Sequence, residues 1–126
     1  MKLNLESMII FVKNIEQLRR FYIDILKFEI VEDSIAGWLL LQAGSCKIGL
    51  HQISDEYLNA FETTSENNNN IKLVFETNED IQKIRAKLLS ENVLMKEIKT
   101  FENYDFWLCD GEDPEGNVFQ IKQKKN

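Results

Sequence analysis

The apolar positions of this chain fall into short runs that alternate between two periods. Met8-Ile9-Ile10-Phe11-Val12 predicts a strand that is apolar on both faces, and Asn14-Ile15-Glu16-Gln17 then offers an N-cap with Gln three residues on. A helix follows: Ile15, Leu18, Phe21, Tyr22, Ile25 and Leu26 recur at helical spacing and leave Glu16, Arg19, Arg20 and Asp24 for solvent. Residues 28–31, 38–41 and 47–51 predict three strands, separated by the turn-forming Asp33-Ser34 and Ala43-Gly44-Ser45. Residues 54–66 carry only a weak helical pattern, and Asn67-Asn68-Asn69-Asn70 has the polarity of an exposed connector.

The same order then repeats. Residues 71–75 predict a strand, and Asn78 is placed to cap a helix whose apolar stripe is Ile81, Ile84, Leu88 and Leu89. Residues 93–98, 105–109 and 117–121 supply three more strands, the last entered through Asp113-Pro114-Glu115-Gly116. The expected class is α+β: two tandem βαβββ modules, about 1–53 and 70–126, joined by a connector at about 54–69 into one domain. Each helix covers one face of its sheet, so the uncovered faces are expected to share a concave cleft, where a ligand is sought.

Register assigns side chains to those faces. Burying Ile71, Leu73 and Phe75 under the helix turns Lys72, Val74 and Glu76 toward the cleft; a shift of one residue would drive Lys72 and Glu76 into the core. By the same reasoning Met8, Ile10 and Val12 face the first helix, while Ser7, Ile9 and Phe11 face the cleft. Gly49 and His51 share that face by period two, with Gln120 on the last strand. Trp38 and Trp107 lie in corresponding third strands and could wall the cleft for a planar or hydrophobic ligand. Lys72 and Glu76, about 13 Å apart along the strand, suit opposite ends of a small molecule.

Composition mainly excludes. A net charge of −6 argues against nonspecific nucleic-acid binding, which needs clustered cations, and the basic Lys122-Gln123-Lys124-Lys125 reads as a solvated end. Apolar runs such as Met8-Ile9-Ile10-Phe11-Val12 and Trp38-Leu39-Leu40-Leu41 are far short of the roughly 20 residues that span a bilayer. Residues 1–6 lack the zones of a secretory signal, so the expected location is cytoplasmic. Cys46 and Cys109 lack metal-ligand spacing and are expected as reduced thiols. His51 is the single histidine, and there is no phosphate-cradling glycine loop or serine nucleophile elbow.

Val12-Lys13-Asn14-Ile15, leading to Phe21-Tyr22-Ile23-Asp24-Ile25-Leu26-Lys27-Phe28, together with the closing Asp113-Pro114-Glu115-Gly116-Asn117, resembles the vicinal oxygen chelate superfamily. That superfamily includes glyoxalase I, bleomycin-resistance proteins, fosfomycin-resistance enzymes and extradiol dioxygenases. The resemblance implies four metal-ligand positions, which fall here on Ser7, Gly49 (or His51 in its place), Lys72 and Gln120. Only Gln120 is a usual ligand type, and the Lys72 ammonium has no lone pair to donate. The expectation is therefore no metal and no cofactor. It points to a binding protein rather than an enzyme, taking a small organic ligand or antibiotic in an apolar cleft lined by Ser7, Phe11, Trp38, Gly49, His51, Lys72, Glu76, Trp107 and Gln120. Two alternatives stay open: a lyase, isomerase or dioxygenase with an irregular metal site at His51 and Gln120, and an interaction module without a small-molecule role. The resemblance also implies a homodimer, with the cleft either within one chain or between two.

Overall fold

The computed structural model describes residues 1–2, 5–53 and 71–126. The weak helical pattern at 54–66 and the whole of the connector expected at about 54–69 lie outside the described residues. The chain divides into two compact units, Met1–Glu66 and Asn67–Asn126.

In the first unit β1 (Ser7–Val12) leads to α1 (Ile15–Arg19), which continues as a π-helical segment (Arg20–Ile25), followed by β2 (Glu29–Glu32), β3 (Trp38–Ala43) and β4 (Cys46–Gln52). The sheet order is β1-β4-β3-β2, with β1 parallel to β4 and the other pairs antiparallel. Asn14 caps α1 as expected, its side chain accepting from the Gln17 N–H. The helical segment ends at Lys27, in the left-handed region at φ 65°, with the Phe28 N–H bonded back to the Tyr22 carbonyl. Val12, Leu18, Tyr22, Leu39, Leu41 and Leu50 are fully buried, and Phe21 and Ile48 nearly so. The strand registers align these residues in rows: Met8, Ile48 and Leu41 form one, and Ile10, Leu50 and Leu39 the next. The helix stripe closes over these rows, which is why period two in the strands and period 3.6 in the helix meet in one core.

The second unit repeats the plan. It runs β5 (Lys72–Thr77), α2 (Ile81–Ser90), β6 (Leu94–Met95), β7 (Phe106–Glu112) and β8 (Val118–Lys124), in sheet order β5-β8-β7-β6 with β5 parallel to β8. Leu73, Ile81, Leu88, Val93, Cys109, Phe119 and Ile121 form its core. Each unit is thus a βαβββ module, and the class is α+β as expected.

Several local expectations change. The cap of α2 is Asp80, not Asn78: its carboxylate accepts from the Gln82 N–H. Leu89 is 42% exposed and leaves the buried stripe. Its place is taken by Val93, whose N–H closes back on the Leu88 carbonyl through Asn92 at φ 61°. The strand expected over 93–98 shortens to Leu94–Met95, with Lys99 making an isolated bridge to Leu108. Ile71 precedes β5 and is 60% exposed.

The duplication also extends to a side-chain device. Gln52 Oε1 accepts from the Ile15 N–H at 2.8 Å, and Gln123 Oε1 accepts from the Ile81 N–H at 2.8 Å. Gln52 is the last residue of β4 and Gln123 the next-to-last of β8, and each satisfies an otherwise orphaned N–H in the first turn of the helix. The closing turn is equally specific. The buried Asp113 carboxylate accepts from the Glu115 and Asn117 N–H groups at 2.9 Å each and from Asn117 Nδ2 at 2.7 Å. Gly116 takes the φ of 80° that this turn demands.

Candidate functional site

On each sheet, the face opposite the helix carries the sequence-predicted residues, Trp107 excepted. In the first module Val12 is fully buried while Ile9 is 53% and Phe11 62% exposed, so the expected register of β1 holds. The parallel β1/β4 and antiparallel β3/β4 registers then set three cross-strand rows on the uncovered face: Ser7–Lys47–Gln42, Ile9–Gly49–Leu40 and Phe11–His51–Trp38.

The last row is aromatic from end to end. Phe11 and His51 have ring centroids 5.5 Å apart at 47°, and Trp38 meets His51 edge-on at 6.1 Å. Trp38 Nε1 donates to Glu32 Oε2 at 2.8 Å, which fixes the indole in its plane. Gly49 explains why the indole can lie where it does. A β-carbon there would stand 2.5 Å from Trp38 Cη2 and 3.3 Å from Ile9 Cγ1. The missing side chain is the seat of the ring. Sequence reading places these residues on one face; their cross-strand alignment comes only from the registers.

In the second module the uncovered face carries Lys72–Val118–Glu112, Val74–Gln120–Asp110 and Glu76–Lys122–Leu108. Lys72 and Glu76 are exposed and Leu73 is buried, as the β5 register requires. Lys72 and Gln120 meet through a residue that the sequence did not single out. Asp110, 7% exposed, accepts from Lys72 Nζ at 2.9 Å on Oδ2 and from Gln120 Nε2 at 2.8 Å on Oδ1. Lys99 Nζ approaches the same Oδ2 at 3.6 Å. Burial by itself would raise the Asp110 carboxyl pKa, but the Lys72 and Gln120 hydrogen bonds and the two lysine charges outweigh it, and the net shift is downward. Asp110 is an anion at neutral pH.

Trp107 is not brought together with these residues. It pairs with Gln123, whose side chain reaches the helix, and it shares the helix-side face with the buried Cys109. Trp38 pairs with His51, one residue before Gln52, the equivalent of Gln123, and lies on the uncovered face. The two tryptophans occupy corresponding strands one residue out of step, and in a period of two that single residue reverses the face.

The four positions at which the family resemblance implies metal ligands do not fit a divalent cation. The Lys72 ammonium is held by Asp110, the Gln120 amide nitrogen is turned to the same carboxylate, and Trp38 covers Gly49. Among the described residues no group of three or more His, Cys, Asp or Glu could hold a metal ion. Cys46 and Cys109 are free thiols; burial leads the upward shift of the Cys109 pKa. No helix among the described residues is long and apolar enough to cross a membrane.

No family model matches the sequence, and no curated protein does. Solved structures do match along nearly the whole chain. An integron cassette protein from V. cholerae is 25% identical, with 98% of this chain and 97% of that chain covered at a TM-score of 0.72. An antibiotic-binding protein from a Streptomyces species is 18% identical, with 98% of each chain covered at 0.74. A lactoylglutathione lyase from Agrobacterium tumefaciens is 12% identical, with 98% of this chain and 95% of that chain covered at 0.72.

Proposed function

We propose that this chain, whose fold is that of the vicinal oxygen chelate superfamily, is a metal-free binding protein for a small organic molecule with a flat, apolar part. The observation that carries the reading is the Phe11–His51–Trp38 row. Three rings stand side by side on a sheet face that the helix leaves uncovered, with Phe11 62% exposed and Ile9 53% exposed beside it. An aromatic and aliphatic surface of this kind gains by covering itself, and a planar ligand does so while stacking on the rings. The second module carries its own polar group of Lys72, Asp110 and Gln120 on its uncovered face, with the exposed Glu76 on the same face. Ser7 and Gly49 act through shape, one as a small polar rim residue and the other as the seat of Trp38. Trp107 belongs to the helix-side face and is left out of the proposed contact set.

The neighbours divide between a protein named for antibiotic binding and a lyase. The donor set here favours the former role, because no cluster of ligating side chains is assembled among the described residues. A homodimer in the cytoplasm is the proposed working state, checked by light scattering on the purified chain and by fractionation.

Binding is tested on a Trp107→Phe background, where Trp38 is the sole tryptophan. A panel of planar aromatic, cationic and antibiotic compounds is titrated while Trp38 emission and thermal stability are followed. A ligand of this site quenches Trp38 and raises the melting temperature, and both effects disappear in Phe11→Ala. If no compound does either, the reading is wrong.

A further inference from the structure

We infer that Lys72 and Lys99, gathered on one oxygen of Asp110, form a recognition site on the second module for an anionic group, a carboxylate or phosphate. The site lies on the second module alone and does not depend on the aromatic row of the first. Two ammonium groups share a single carboxylate oxygen, at 2.9 and 3.6 Å. One negative charge therefore faces two positive ones, and the cluster keeps a surplus of one positive charge in a chain whose net charge is −6.

That surplus is accessible. The Lys72 and Lys99 side chains are 40% and 47% exposed, whereas the Asp110 side chain beneath them is only 9% exposed. The buried anion serves as an anchor, and the solvent-facing sides of the two ammonium groups keep donors to spare. The anchor is itself firmly placed. Gln120 Nε2 occupies the other carboxylate oxygen, so Asp110 is oriented from both sides. Lys99 is tied to β7 by reciprocal backbone bonds with Leu108, 2.8 Å in each direction, and the Lys96 N–H donates to the Asp110 carbonyl at 2.8 Å. Both lysines start from fixed backbone, which lowers the ordering cost when an anion bridges them. The other charges on this face are Glu76, Lys122, Lys124 and Glu112. Glu112 shares a row with Lys72 but is separated from it by Val118, and Glu76 and Lys122 pair in the row beyond Gln120.

Inorganic phosphate is the probe for the lysine pair, titrated against potassium chloride at matched ionic strength and followed by phosphorus NMR and thermal shift. Saturable binding is expected. Lys99→Met and Lys72→Met each weaken it about tenfold, the loss of one charge-assisted contact, and Lys99→Arg restores it. Circular dichroism establishes that the exposed-site variant Lys99→Met is folded. Phosphate that gives no more than the chloride effect, or binding indifferent to both lysines, overturns the inference. Planar compounds that quench Trp38, with no Lys99-dependent phosphate binding, leave the organic-ligand reading standing and remove the anion site. Phosphate binding that depends on Lys99, with no organic compound bound, does the reverse.

Discussion

Replacing Asp110 with Asn removes the charge on which Lys72, Lys99 and Gln120 converge while keeping an oxygen for the Gln120 amide. Stripping the partner from a fully buried ion pair costs about 3–5 kcal/mol. Here the lysines are 40% and 47% exposed and can be rehydrated, so the expected loss is smaller, about 1–2 kcal/mol, set by the charge-assisted Lys72 bond. The measurement is a double-mutant cycle of Asp110→Asn with Lys72→Met in urea at pH 7. It is read from Trp107 in a Trp38→Phe background so that the second module reports on itself. A coupling of about 1 kcal/mol is expected. The pH dependence has a definite sign. Because the folded pKa of Asp110 is depressed, its contribution is fully present above the ordinary carboxylate range and is lost as pH falls through the lowered folded value. The gap between the wild-type and Asp110→Asn proteins should therefore be constant near neutrality and close in acid. A coupling below about 0.3 kcal/mol, within the scatter of independent sites, or stability curves that stay parallel into acid, would refute this account of the cluster.

Gly49→Ala should push the Trp38 indole off β4, since the new β-carbon would stand 2.5 Å from Cη2; the expected cost is about 1–3 kcal/mol of stability, with Trp38 emission shifted to the red in a Trp107→Phe background. Asp113→Ala should lose about 2–4 kcal/mol, because the bonds to the Glu115 and Asn117 N–H groups and to the Asn117 side chain have no replacement in a buried turn; chemical denaturation measures it. Gln52→Ala and Gln123→Ala should each cost about 1 kcal/mol through the freed helix N–H, and hydrogen exchange should show early loss of protection in the first turn of α1 in one variant and of α2 in the other.

Much of this was legible in the sequence where one local rule decided the outcome. Period two in β5 puts Lys72 outward because the alternative buries two charges, and the structure has Leu73 buried and Lys72 exposed. The duplicated element order was readable for the same reason, each helix and strand announcing its own period. What escaped the reading depends on pairing between distant strands. Asp110 was missed because the apolar pattern of the seventh strand ends at Cys109, while the ladder with β8 carries the strand on to Glu112. Trp107 was grouped with Trp38 by strand, but the face was decided by a one-residue offset visible only against Gln123 and His51. The cap of α2 moved to Asp80 because two residues able to cap stand near one start and only the geometry of the turn chooses between them.

The two glutamines that hold the helix starts have a consequence for how the chain is made. Gln52 reaches back 37 residues to Ile15, and Gln123 reaches back 42 to Ile81. In each module the helix is written early and its anchor last, and the parallel pairing of first and last strands imposes the same delay. During synthesis, α1 can be secured once Gln52 has emerged from the ribosome, before α2 has emerged. The second helix waits for Gln123, and until then its apolar stripe has no completed sheet to cover. The first module can mature during translation, while the second stays exposed to misfolding until its last strand is free.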